Sequence, residues 1–198
     1  RVREAVDKKE KITIYGDYDV DGITGVSILW ELLTLLGAQV DFYIPHRIDE
    51  GYGLNTDAVR SLAESGTRLL VTVDCGVTAI EAADLARQLG LDLIITDHHT
   101  PGQVLPNAVA VVHPALEESY PNQDSAGALV AYKLAWAIAD EFSPGPRLEP
   151  NLRQFMLNAT SLAAIGTVAD VVDLRGENRI VTRFGLQSVP DSKLCGLR

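Results

Sequence analysis

The fold is decided by residues 12–22, Ile12-Thr13-Ile14-Tyr15-Gly16-Asp17-Tyr18-Asp19-Val20-Asp21-Gly22. The mostly apolar start of this stretch predicts a buried strand, and Gly22 with the apolar residues from Ile23 onward predicts the beginning of a helix. Three carboxylates at alternate positions directly after a buried strand repel one another strongly away from bulk water. We therefore expect a hard divalent cation to neutralise this cluster.

The composition is that of an ordinary globular protein: 198 residues, 46% hydrophobic, with a net charge of −10. The negative charge argues against a surface that coats nucleic acid generally, because phosphate contacts need Lys and Arg. Because the apolar stretches are short and interrupted, we expect no transmembrane helix and no membrane partner. We also expect no signal peptide. Two cysteines without close spacing, Cys75 and Cys195, predict a reducing, cytoplasmic setting. Because Ser192–Arg198 looks like a cut through a continuing chain, we interpret the sequence as a catalytic fragment.

Strand-like and helix-like segments alternate over residues 1–115, which predicts an α/β fold with a doubly wound, mostly parallel sheet. The five predicted strands are Ile12–Tyr15, Val40–Ile44, Leu69–Val73, Leu93–Thr96 and Val109–Val112. The helices predicted between them are Ile23–Leu36, Thr56–Glu64 and Thr78–Leu89. Residues 125–190 have only helical patterns, with helices predicted at Ala126–Phe142 and Leu152–Ile165. We expect this second part to be a helical extension of the same catalytic domain.

Chemically active side chains follow three of the predicted strands. Besides the first cluster, Asp74 directly follows Leu69–Val73, and Asp97-His98-His99 directly follow Leu93–Thr96. The carboxyl ends of parallel strands meet at one sheet edge, where ligands bind near the topological switch point. Carboxylates with one or two imidazoles favour Mn²⁺ or Mg²⁺, with catalytic Zn²⁺ or Co²⁺ still open. So many ligands suit two ions bridged by a shared carboxylate.

Each of these signals also has a structural explanation. A single Asp after a strand is usually a turn or cap residue, and a His-His pair in a loop usually packs or faces solvent. The joint occurrence at three strand ends favours a metal centre over these explanations. A phosphoacceptor domain of the receiver type would share the fold and the clustered Asp residues, but it would not need His98-His99.

The chain resembles the DHH phosphoesterase superfamily, most closely its bacterial single-stranded-DNA exonucleases that act from 5′ ends. The DHH triplet alone is a weak signal, whereas the ordered set of motifs is strong. The matching segments are Gly16–Gly22, Pro45–Arg47, Gly51–Leu54, Val73–Gly76, Thr96–His99, Ser125–Ala128 and Gly166–Val171.

The resemblance implies roles for individual residues. The implied metal ligands are Asp19, Asp21, Asp74, His98 and Asp170. Of the residues with implied catalytic roles, Asp74 would bridge the ions and His99 would face the scissile phosphate. Asp17 would either support the ligands or be a ligand of low occupancy. Asp97 would orient its neighbours through hydrogen bonds. Arg47 and Tyr52 are candidate substrate contacts, although each has an equally ordinary structural explanation. His113 we interpret as a loop filler and Asp173 as a surface or cap residue.

By the same resemblance, we expect a phosphodiesterase with two divalent cations, Mn²⁺ first and Mg²⁺ or Co²⁺ as alternatives. A water activated near Asp74 would attack phosphorus and release mononucleotides from the 5′ end of single-stranded DNA, in DNA repair and recombination. Single-strand-binding protein and a helicase are the implied protein partners. The family's C-terminal substrate-binding domains are absent from this chain. The alternatives are a DHH phosphodiesterase for short oligonucleotides or cyclic dinucleotides, and a non-catalytic replication scaffold.

Overall fold

The protein is described by a computed structural model that covers residues 1–192 and 194–197. The strands are β1 (Lys11–Gly16), β2 (Gln39–Tyr43), β3 (Leu69–Val73), β4 (Asp92–Thr96) and β5 (Ala110–Val112). The helices are α1 (Val2–Asp7), α2 (Val20–Leu35), α3 (Thr56–Glu64), α4 (Ile80–Gln88), α5 (Gly127–Glu141), α6 (Pro150–Ala169) and α7 (Gly176–Ser188). Short 3₁₀ turns lie at Pro114–Leu116, Val189–Asp191 and Cys195–Leu197. Cys75 is a buried free thiol, whereas the side chain of Cys195 lies outside the described part of the chain.

The five strands form one sheet in the order β2-β1-β3-β4-β5, and every neighbouring pair is parallel. This confirms the predicted doubly wound α/β class. The strand order reverses at β1, which pairs with β2 on one side and with β3 on the other. The crevice at the carboxyl ends of β1 and β3 is therefore the topological switch point, where a fold of this type binds its ligands.

Both faces of the sheet are buried along its central strands β1, β3 and β4, as is usual for parallel sheets. Side chains of successive strand residues point to opposite faces, so β3 places Leu69 and Val71 on one face and Leu70 on the other. The first face packs against α2, α5 and α6, and the second packs against α3 and α4. The helical part thus shares a hydrophobic core with the sheet, and this core holds the helix ends against the switch point.

Two helix boundaries differ from the prediction in ways that affect the site. Helix α2 begins at Val20 rather than Ile23 because Asp19 caps it, its carboxylate accepting a hydrogen bond from Gly22 N at 2.9 Å. Helix α6 continues past Ile165 to Ala169 and is ended by Asp170. Helices α1 and α7 were not predicted. Among the described residues, no helix has the length and apolar character that crossing a membrane needs.

Candidate metal centre

The loop between β1 and α2 presents three carboxylates to the switch point. Asp17 and Asp21 are buried, with 3% and 1% of their surface exposed, whereas Asp19 is exposed. A Cβ on Gly22 would lie 2.6 Å from the carbonyl oxygen of Asp17, so the loop closes this tightly only around a glycine. The tight closure keeps Asp17 against the end of β1. Its burial raises the pKa of the Asp17 carboxyl.

Asp74 leaves the end of β3 in a strained conformation. Its φ of 62° lies in the left-handed region, which costs a non-glycine residue about 1–3 kcal/mol and persists only where the surroundings enforce it. The backbone N of Asp74 donates to Thr96 O at 3.0 Å, and the residue is 1% exposed. This conformation holds the carboxylate of Asp74 in the crevice at the carboxyl ends of β1 and β3.

Asp21 is held by the start of helix α5. Its Oδ2 accepts from Gly127 N at 2.6 Å and its Oδ1 accepts from Ala128 N at 2.9 Å. The free amides and the positive end of a helix dipole favour a carboxylate at this position. Burial and the negative charge of the neighbouring Asp170 outweigh these contacts, so the pKa of Asp21 is raised to about 6.

His98 connects the strand ends to the helical part. Its Nε2 lies 3.0 Å from Asp74 Oδ1 and 3.8 Å from Asp21 Oδ2, and its Nδ1 lies 3.7 Å from Asp170 Oδ2. Asp170 comes to the centre because it ends helix α6, whose last turn points at the sheet edge. Strand ends and helix ends therefore deliver ligands to one place.

Three buried atoms of the centre have no hydrogen-bond partner in the described part of the chain: Asp17 Oδ1, Asp74 Oδ1 and His98 Nε2. The last two are 3.0 Å apart but are not in hydrogen-bonding geometry. An unsatisfied buried polar atom costs about 1–3 kcal/mol, more when it is charged. Coordination to a cation would satisfy all three, so the donor set fits a metal.

The donor atoms fall into three groups, and within each group all atoms lie within 4.8 Å of one another. The first ligand group is Asp17, Asp19 and Asp74, and the second ligand group is Asp21, His98 and Asp170. The third consists of Asp74, His98 and His99. It joins the other two, since Asp74 belongs to the first and His98 to the second. Two neighbouring cations can be held in this arrangement.

The electrostatics of the centre also favour added positive charge. Burial, reinforced by Asp21, raises the pKa of Asp74 to about 7. Burial lowers the pKa of His98, but the carboxylates of Asp74, Asp170 and Asp21 together outweigh it and raise that pKa to about 9. Without a cation, the centre therefore retains protons near neutrality. A divalent cation would compete with these protons for the same atoms.

Asp97 holds His99 at the edge of the centre. The buried Asp97 accepts from His99 Nδ1 at 2.8 Å through Oδ1 and from Val77 N at 2.8 Å through Oδ2. Burial raises the pKa of Asp97, but these hydrogen bonds outweigh it and the net pKa is lowered. The hydrogen bond to Asp97 raises the pKa of His99. The His99 side chain is 44% exposed, so it can meet a molecule that enters from the open side.

The two candidate substrate contacts lie on the loop after β2. The hydroxyl of Tyr52 lies 3.1 Å from the ring nitrogens of His99, and the two rings meet edge to face. The guanidinium of Arg47 stacks over the ring of Tyr18, 5.2 Å from its centre. Tyr52 therefore lies against the centre, whereas Arg47 lies beside the first loop and not among the grouped donor atoms.

His113 and Asp173 contact other parts of the protein rather than the grouped donor atoms. His113 Nε2 donates to the carbonyl of His99 at 2.7 Å, and its Nδ1 accepts from Ala115 N at 3.1 Å. The side chain supports the backbone under His99, a contact that the sequence pattern does not reveal. Asp173 is exposed, with Oδ2 3.5 Å from Arg175 Nε.

Residue patterns alone miss two features of the centre. Asp170 follows no strand, and only the family resemblance signals it. The amides of Gly127 and Ala128 act through the backbone, so no side-chain pattern reports them. The Ser125–Ala128 motif was part of the resemblance, but its function becomes visible only in the structure.

Known proteins are similar to this chain over its whole length and share its fold. Residues 11–165 match the DHH family, N-terminal domain. The chain is 46% identical over 199 residues to the single-stranded-DNA-specific exonuclease RecJ of Bacillus subtilis, covering 100% of this chain and 24% of that protein. It is 42% identical over 199 residues to RecJ of Thermus thermophilus, covering 100% of this chain and 28% of that protein. A crystal structure of exonuclease RecJ bound to manganese matches with a TM-score of 0.89 and 41% identity, covering 100% of this chain and 48% of that chain.

These similarities confirm the α/β class and the resemblance to the exonuclease branch of the DHH phosphoesterases. The chain spans about a quarter of the length of these two curated relatives.

Proposed function

Because the chain belongs to the DHH family, we propose that it is the catalytic part of a metal-dependent phosphodiesterase. Its substrate is single-stranded DNA, which it degrades from the 5′ end to mononucleotides in DNA repair and recombination. The proposal is supported by relatives named as single-stranded-DNA-specific exonucleases. The single observation in this molecule that supports it most is the set of unsatisfied buried atoms of Asp17, Asp74 and His98.

The first ligand group would hold one divalent cation and the second ligand group the other, with Asp74 between them. Of the two roles expected for Asp17, this favours the ligand, because its donor atom lies with those of Asp19 and Asp74. Mn²⁺ is our first choice, since the donors are oxygen and imidazole and a similar RecJ structure contains manganese. Mg²⁺ and Co²⁺ suit the same donors.

A pair of such cations lowers the pKa of a water and neutralises charge on phosphate oxygens. The chain's own residues would supply orientation. Asp97 holds the proton of His99 on Nδ1, and the Tyr52 hydroxyl lies 3.1 Å from the other ring nitrogen, where a phosphate oxygen would take its place. The raised pKa of His99 keeps it cationic over a wider pH range, which favours the negative charge that develops in the transition state. Tyr52, beside His99, would contact the terminal nucleotide.

The proposal is tested with single strands labelled at the 5′ or the 3′ end, incubated with Mn²⁺, Mg²⁺ or chelator. We expect mononucleotides to appear first from the 5′ label, and only with metal. Release from the 3′ label first would contradict the polarity. Cleavage of dinucleotides or cyclic dinucleotides, with longer strands untouched, would favour the short-substrate alternative. A metal-loaded protein that cleaves none of these substrates would favour the scaffold. Adding single-strand-binding protein or a helicase to the same assay tests the proposed protein partners.

A further inference from the structure

Asn178 lies in the first turn of α7, and both polar atoms of its side chain form hydrogen bonds within the protein. It is 1% exposed. Its Nδ2 donates to the carbonyl oxygens of Asp124 and Asp173, both at 2.9 Å. Its Oδ1 accepts from Asn122 Nδ2 at 2.7 Å. One buried amide therefore joins two segments that are far apart in the sequence.

Both joined segments lead directly to residues of the second ligand group. Three residues after Asp124 comes Gly127, whose amide holds the carboxylate of Asp21 at 2.6 Å. Three residues before Asp173 comes Asp170, which ends α6. Between Asp170 and Asp173, Val171 has a φ of 63°, so this turn departs from helical geometry at once. The distance between Asp21 and Asp170 therefore depends on how these two segments are held relative to each other, as well as on the packing of α6 against Asp21.

We propose that Asn178 is a positioning residue for the cation held by Asp21, His98 and Asp170, an inference that rests on the proposed function. Only an amide offers two donors and one acceptor in this space. A carboxylate in its place would face two carbonyl oxygens without a proton to give. Among the described residues, the side-chain hydrogen bonds of Asn178 reach neither the loop of Asp17 and Asp19 nor the strand end of Asp74, so we expect the first ligand group not to depend on it.

The test measures Mn²⁺ binding to the wild-type chain and to Asn178→Asp by calorimetry, below the unfolding temperature of both. Removing a residue that orients metal ligands costs roughly 10–100-fold in metal affinity. We expect two ions in the wild type, and in the variant one ion at wild-type affinity with the other weakened by that factor. Should the variant not fold, Asn178→Ser removes the amide without adding charge and provides the same comparison.

Val181→Ala is the matched control, because Val181 lies on the same helix and packs against the hydrophobic core. It should lower the unfolding temperature and leave both Mn²⁺ affinities unchanged. The inference is overturned if the Asn178 variant binds both ions as the wild type does. It is equally overturned if both ions weaken together. A wild-type chain that binds fewer than two ions would instead contradict the proposed function, and the inference with it.

Discussion

Gly127→Ala should disturb the centre although glycine contributes no ligand. A Cβ at this position would lie 2.6 Å from Asp74 Oδ1 and 2.7 Å from Asp74 Cβ, against 3.4–4 Å for ordinary contact. The two groups must therefore separate by about 0.8 Å, and overpacking of this kind costs about 1–3 kcal/mol of stability. Asp74 has little freedom to move because its backbone is already strained at φ 62°. The start of α5 would shift instead, and with it the amides that hold Asp21.

A displacement near 1 Å in a catalytic arrangement costs roughly 10²-fold in rate. We expect that loss in the hydrolysis of a 5′-labelled single strand, together with weaker Mn²⁺ binding in a titration. The matched control is Gly145→Ala, since a Cβ there would meet nothing within 4 Å, and it should retain wild-type values. Turnover and Mn²⁺ affinity of Gly127→Ala within about twofold of wild type would refute this reasoning about the close approach.

Three further perturbations follow from the same geometry. Asp74→Asn should abolish turnover yet keep the cation-free protein folded, because burial already disfavours the charged form of Asp74, whose pKa is raised to about 7. A melting curve tests whether the variant folds, and the labelled-strand assay tests its turnover. Mn²⁺-dependent activity near wild type would contradict the bridging role. Since the pKa of His98 is raised to about 9, Mn²⁺ must displace its proton, so affinity should rise with pH up to that value. Calorimetry in buffers of different ionisation enthalpy detects the released proton, and pH-independent affinity without proton release would count against this ligand. Asp97→Asn should lower kcat roughly 10–100-fold with little change in KM, because the imidazole of His99 loses its orientation. An unchanged kcat would show that the hydrogen bond between Asp97 and His99 is dispensable.

The sheet could be predicted from the sequence because its signals are local. Each strand is a short run rich in apolar residues, and each predicted strand ends within one residue of the observed one. The Asp and His residues at the strand ends follow from the same pattern, since parallel strands bring their carboxyl ends to one edge. The early start of α2 was missed because Asp19 combines two functions, capping the helix and facing the centre. Such a residue gives no separate signal for the cap.

The helical part was harder to predict because its important features are not local. Helix α7 was missed since its large apolar residues Ile180 and Phe184 are 58% and 61% exposed, which blurs the amphipathic pattern that identifies a helix. The arrival of Asp170 at the sheet edge depends on how α6 packs against α2, and no local pattern encodes that packing. The hydrogen bonds of Asn178 depend in turn on the position of α7.

The proposed pair of cations can be located directly by anomalous diffraction at the manganese edge, from crystals of the chain grown with Mn²⁺. We expect two peaks about 3.5–4 Å apart, the usual separation of paired catalytic ions. The carboxylate of Asp74 should lie between them, with Asp17 and Asp19 at one peak and Asp21, His98 and Asp170 at the other. No peak at the switch point, or a single peak that Asp74 does not ligate, would contradict the two-cation centre.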